Sequence, residues 1–465
     1  MNHRLFIKIG TIFLVALLLL LPVFQIRELV SERAQTRDSV VADIARSTGY
    51  AQTITGPLLV VPYTRKMRSW SEEKEGVPRR LIETEVAGQL TLVPADFELS
   101  GKLAVAERER GIYRARIFDA ESRITGAFEL KANYGITTDL ADYSFEAPHL
   151  ALGISDIRGI GNALELDWNG GRVVFEPGTA TSVLAAGVHA ALPAPDLTRS
   201  SRVTYAIALS LQGTSDFQVT PMGRESRVML TSNWPHPSFV GEFLPREREV
   251  TADGFSARWQ TSFFATNLEN VVNACRDGSP DHPACVELGS RHFGVSFIDP
   301  VDHYLQSERA TKYAFLFIGL TFAACFLLEV LRRLRVHPIQ YGLVGLSLAV
   351  FFLLLLSLAE HLGFALAYSI SAAACVSLIA YYVAHVIGDR KLGAVFGVAL
   401  GSLYALLYAI LSAEDFSLLI GSLLVFGTLG AIMVLTRKVD WAVFGQPAGP
   451  PLDGARAAEG RADPA

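Results

Sequence analysis

The run IGTIFLVALLLLLPVFQI, from Ile9 to Ile26, carries no charge and is long enough to cross most of a bilayer as a helix. No further run of that kind begins until Tyr313, after which one follows another almost to the C-terminus. This spacing rules out one ordinary soluble core and predicts two membrane blocks around a water-soluble body. Composition agrees: 50% of residues are hydrophobic and 19% charged, with the apolar excess gathered at the two ends. The formal net charge of −5, with no long basic block, excludes nucleic acid as a partner.

Arg4 and Lys8 precede the first run, and RELVSERAQTRD follows it without a small-x-small cleavage site, so an uncleaved anchor over 1–27 is expected in place of a signal peptide. Pro22 should bend that helix. Five further spans are expected from Tyr313 onward, continuing through Tyr341–Leu358, Leu362–Ile387, Leu392–Leu411 and Phe416–Leu435, as a bundle over 313–437. Lysine and arginine cluster in RRLR, DRK and TRK, whereas the alternate turns AEH and SAED have neither. The basic loops therefore face the cytoplasm, along with both termini, and the body over 28–312 is exported. Arg27, Arg33 and Arg37 run against this rule at the outer flank of the first helix.

Arg27 to Arg46 reads as a helical continuation of the anchor. Beyond it the texture becomes that of strands. RVTYAIALSLQ alternates Val203, Tyr205, Ile207, Leu209 and Leu211 against a polar face, and GRVVFE, GIYRARIFDA, ITGAFELKA and GFSARWQTSFF behave alike between turn residues. The expected fold is a membrane α-helical protein, one N-terminal plus five C-terminal helices, with a large, mainly antiparallel β exported domain of sandwich type. Short helices are expected around Ala180–Ala190 and Thr266–Ala274. The segment 438–465 is rich in Pro, Gly and Ala and reads as a disordered cytoplasmic tail.

Cys275 and Cys285 bracket CRDGSPDHPAC. In an oxidising compartment a disulfide is the expected outcome; a metal site would need His282 and a fourth ligand, and the spacing fits no common zinc pattern. Cys325 and Cys375 lie in apolar runs as packing residues. Scans for HExxH, GxSxG, a P-loop and an EF-hand find none, and GIGNAL at Gly159 reads as a turn, so neither a catalytic residue nor a cofactor or metal is expected. Ionisable residues of the apolar block sit at helix ends. Glu329 is expected to pair with Arg332 or Arg333. Glu360 beside His361 forms a candidate ligand or pH site at the outer rim. Gly393, Gly397 and Gly401 form a small-residue ridge, as do Ser369, Ala373 and Ser377; such ridges join helices of one bundle or, secondarily, copies in a homo-oligomer. SNWPHPSFVGEFLP, with three prolines, reads as a constrained loop whose Trp234, His236, Phe239 and Phe243 are candidate binding residues.

ERAQTRDSVVADIARSTGYAQTITGPLLVVPY, RGIY, SNWPHPSFVGEFLP, GVSFIDPVDHYLQSERATKYAFLFIGLTF, HPIQYGLVGLSLAVFFLLLLSLAEHLGFALAYSISA and LLIGSLLVFGTLGAIMVLTRKVDW resemble the CreD family of bacterial inner-membrane proteins. The likeness extends from the anchor to Trp441. It implies a cell-envelope integrity role tied to a stress-responsive two-component system, colicin tolerance and β-lactam response, with the exported domain in the periplasm. It supplies no catalytic residues.

Three functions follow as expectations. The first is a non-enzymatic protein whose periplasmic domain contacts envelope components while the helices hold it in the lipid bilayer. The second is a transporter or lipid-handling protein using the five-helix bundle, and the third an enzyme acting on envelope glycans. The cytoplasmic loops are too short for a nucleotide-binding domain.

Overall fold

The computed structural model of the chain describes residues 3–70, 81–276, 282–299, 302–332, 336–412 and 417–437. Two compact units emerge, Met1–Gln35 with Val301–Ala465, and Thr36–Pro300. The expected tail, most of the RRLR and SAED turns and Lys438 of TRK lie outside the described residues.

In the first unit, four helices among the described residues are long and apolar enough to cross a membrane: Phe6–Thr48, Pro338–Leu362, Phe364–Ile387 and Arg390–Ser412. A fifth exists if His303–Lys312 and Ala314–Val330, bent by 46°, count as one span, and a shorter apolar helix covers Leu419–Val434. This differs from the six clean spans expected. An amphipathic helix, His303–Lys312, leads into the second apolar run, and the Asp302 carboxylate caps its start by accepting the N–H groups of Tyr304 and Leu305 at 2.9 and 3.2 Å. The first helix is interrupted at Leu19, between His3–Leu18 and Leu20–Thr48. Pro22 explains the position, because its missing N–H and its ring both act on the carbonyl four residues back.

The second unit is built from two sheets. The nine-stranded sheet runs in the order Pro237–Gly241, Phe293–Phe297, Asp216–Pro221, Gln52–Trp70, His149–Ile154, Gly187–Ala191, Glu176–Pro177, with Leu81–Leu92 and Tyr143–Phe145 also paired to Gln52–Trp70. The eight-stranded sheet runs Glu247–Thr251, Gly254–Ser262, Glu225–Ser232, Asp96–Arg110, Tyr113–Leu130, Ser201–Thr214, Glu165–Trp168, Gly171–Val174. Among the described residues two pairs are parallel, Gln52–Trp70 with Asp216–Pro221 and Asp96–Arg110 with Glu225–Ser232. The sheets are therefore mixed, which period-2 alternation could not reveal, since it is the same for both directions. GIYRARIFDA and ITGAFELKA belong to one long strand, Tyr113–Leu130.

The apolar stretch Leu58–Val61 is continuous because its strand is buried on both faces. Leu59 and Val61 enter the core between the sheets, with Leu99, Phe118 and Leu211. Leu58 and Val60 face the helices Leu268–Arg276 and Pro283–Ser290, meeting Leu268, Val272 and Leu288. Each such buried aliphatic side chain contributes about 1.5–3 kcal/mol. No helix forms over 180–190: the chain bends and then enters the strand Gly187–Ala191, whose Val188 and Ala190 join the inter-sheet core. Sheet pairing there outweighs the helical propensity of the alanines.

Candidate functional site

Charged side chains on apolar helices need compensation, and the first unit supplies it from its N-terminal helix. Glu329 is 4% exposed and forms an ion pair with Lys8. Its carboxylate also accepts the Tyr341 hydroxyl at 2.9 Å and the Val336 N–H at 3.2 Å. The expected pairing along its own helix gives way to one between helices, because Glu329 points into the bundle while Arg332 is exposed. The adjoining cavity measures about 40 Å³. That is room for water and not for a solute.

Glu360 is held the same way. Arg33 donates Nε to Oε1 at 2.8 Å and Nη2 to Oε2 at 2.7 Å, and the Tyr304 hydroxyl donates to Oε1 at 3.0 Å. Adjacent positions on a helix point in different directions, so His361 is exposed and does not share this network. Lys8 and Arg33 are roughly 37 Å apart along the helix path at about 1.5 Å per residue. A hydrocarbon core is ~30 Å thick. The two clamps are thus separated by somewhat more than the thickness of such a core.

The glycine ridge packs within the chain. A Cβ on Gly393 would lie 2.3 Å from the Cβ of Ala384, and one on Gly397 2.8 Å from that of Ala380, while Gly401 faces Val376. The partner stripe on Phe364–Ile387 is therefore Val376, Ala380 and Ala384; Ser369, Ala373 and Ser377 are exposed.

In the second unit, SNWPHPSFVGEFLP is not a loop throughout. Pro237–Gly241 forms a strand at the edge of the nine-stranded sheet, antiparallel to Phe293–Phe297. Proline is tolerated as the first residue of an edge strand, which is where Pro237 stands. Phe239 packs edge-on against Phe255 and Trp259, Phe243 against Phe293, and the Trp259 indole donates to the Phe243 carbonyl at 3.0 Å. Trp234 lies under the Arg116 guanidinium at 4.9 Å and donates Nε1–H to the His236 carbonyl at 3.1 Å. Of the four candidates only His236 is exposed. Cys275 and Cys285 are bonded and join the two helices that cover the sheet. His282 caps the second of them, its Nδ1 accepting the Ala284 N–H at 3.2 Å.

The family described as Inner membrane protein CreD matches residues 4–442. The chain is also similar to Inner membrane protein CreD of Escherichia coli (strain K12), 36% identical over 448 residues, which is 96% of each chain. The chain belongs to the CreD family. CreD is an inner-membrane protein, and the apolar helices accord with that setting. Lys8 and Arg33, visible in the sequence only as flanking charges, and Tyr304 and Tyr341, which no pattern singles out, complete the two carboxylate sites. The signal for the two cations was the basic residue at either flank of the first run, matched by the acidic residue at the end of a later one.

Proposed function

We propose that this CreD-family chain is a multi-pass inner-membrane protein with both termini in the cytoplasm, supporting envelope integrity through contacts between its periplasmic β-rich domain and envelope components. It acts without catalysis. The observation that carries this reading is that both Glu329 and Glu360 are already neutralised by basic residues of the N-terminal helix. Helices whose carboxylates are spent on holding the bundle together serve as an anchor, and the β domain is left to meet partners. The Cys275–Cys285 bond suits an oxidising compartment. Arg33 at the outer flank, awkward for this orientation, is offset by Glu360.

Photo-crosslinking in cells from His236 and from Leu244, which is 68% exposed, tests the reading. Adducts with envelope components are expected. The reading fails if no adduct forms and Glu360→Gln with His361→Ala abolishes β-lactam or colicin tolerance at normal membrane abundance, the outcome a transporter would give. One observation favours lipid handling as the second reading: a cavity of about 410 Å³ between Pro338–Leu362 and Phe364–Ile387, lined by Leu346, Val350, Leu378 and the buried Ser371.

A further inference from the structure

A cavity of about 380 Å³ opens in the two-sheet domain, where Leu59, Leu130 and Pro148 meet the segment after Gly187–Ala191. Small-molecule sites commonly span about 300–1,000 Å³. Two aromatic side chains line it. Trp168 is held against Phe128 at 5.9 Å between ring centres, and Tyr134 against Phe145 at 5.2 Å.

Their polar atoms are left free to donate. Tyr205, Tyr304, Tyr341, Tyr368 and Tyr404 are buried, and each donates its hydroxyl to a named acceptor. Tyr134 is 9% exposed, yet its hydroxyl has no hydrogen-bond partner among the described residues. Trp234 and Trp259 donate their indole N–H groups, whereas that of Trp168 also lacks a partner among the described residues. Neither the Tyr134 hydroxyl nor the Trp168 N–H is fully buried, so both are open to water and can donate to a ligand that displaces it. Burial pushes the Tyr134 phenol up to about 12, so it stays protonated and can donate.

The backbone holds Tyr134 in an unfavourable conformation. Tyr134 has φ 53°, in the left-handed region that aromatic residues avoid, and Asn169 on the cavity rim has φ 51° in an Asn-Gly hairpin turn. The covering segment is tied down. Asn133 N–H donates to the Leu197 carbonyl at 2.9 Å, and Leu192 N–H to the Pro148 carbonyl at 2.8 Å. Charges at the rim are matched: Arg199 pairs with Asp196 at 3.3 Å, and Arg202 with Asp96 and Glu129. Nothing there selects a net charge.

We infer that this cavity binds a neutral saccharide of one or two rings, its C–H face on the Trp168 indole and its oxygens accepting from Tyr134 and Trp168. This rests on the reading of the domain as an envelope-contacting module and names the chemical class of one contact. The test titrates the full-length protein in nanodiscs with N,N′-diacetylchitobiose and with maltose, read by calorimetry and tryptophan fluorescence. Saturable binding of at least one disaccharide is expected, weakened about tenfold by Tyr134→Phe, the equivalent of about 1.4 kcal/mol, and abolished by Trp168→Leu. If Trp168→Leu does not fold, Tyr134→Phe decides. No saturation, unchanged affinity in Tyr134→Phe, or binding of a proline-rich peptide at this cavity instead of either sugar overturns the inference. Envelope crosslinks that persist in a protein binding no sugar would sink this inference alone; sugar binding without crosslinks would sink only the broader reading.

Discussion

Arg33 grips Glu360 with two parallel hydrogen bonds, 2.8 and 2.7 Å, and so ties the N-terminal helix to the end of Pro338–Leu362. The residues are far apart in the chain, and the carboxylate is 9% exposed. Arg33→Ala is expected to lower stability by about 1–3 kcal/mol, the range for a charge-assisted bond, because Glu360 keeps its burial and loses its cation, with only the Tyr304 hydroxyl left to donate. A double-mutant cycle with Glu360→Gln, followed by thermal unfolding in detergent, should show the double variant losing less than the two singles together.

Lys8→Met should be more damaging than Arg33→Ala. Glu329 is 4% exposed and would be left charged without its cation. Removing one partner of a buried pair typically costs about 3–5 kcal/mol. Adding Glu329→Gln should restore much of the loss, since the neutral amide still accepts from Tyr341. Equal abundance of Lys8→Met and wild type in membranes would refute this.

Gly393→Val should disrupt the bundle where Gly421→Ala does not. A Cβ at Gly393 would meet Ala384 backbone at 2.7 Å as well as its Cβ, whereas one at Gly421 meets nothing within 4 Å. Overpacking of this kind costs about 1–3 kcal/mol. Cysteine crosslinking between Val376 and Gly401 reports whether the two helices still touch.

Cys275→Ser should destabilise the helical cover over Leu58 and Val60 by roughly 2–3 kcal/mol, because the bond closes a short loop in the unfolded chain. Alkylation followed by mass measurement should find these two thiols protected before reduction and reactive after it. Wild-type unfolding unchanged by reductant would contradict the effect.

His149 predicts the acid response of the β domain. Burial, and then the neighbouring His189, hold its imidazole below the ordinary value. The folded state thus resists a proton that the unfolded state takes up near pH ~6.5. Stability from this group is complete above that pH and declines as pH falls from it toward the depressed folded value. His149→Gln should flatten the melting temperature between about pH 7 and pH 5 relative to wild type; parallel profiles would exclude His149 as the cause.

Much was legible before any fold was known. The apolar runs, the helical continuation through Arg46 and the alternating strand Ser201–Thr214 follow from local periodicity, which side-chain chemistry writes directly into the chain. The candidate residues fared differently. Phe239 and Phe243 looked free because their segment is rich in proline, but an edge strand absorbs Pro237 and turns the rings inward. Glu360 and His361 are neighbours in sequence and part company in space.

By itself the sequence determined that this chain carries apolar helices of membrane length around a strand-rich body, because transfer of long apolar runs depends on composition and length alone. Only the tertiary structure decided which partner each isolated charge takes, which strands run parallel and which aromatic side chains line a cavity. Those outcomes depend on directions in space between residues distant in the chain, and a one-dimensional pattern carries no record of direction.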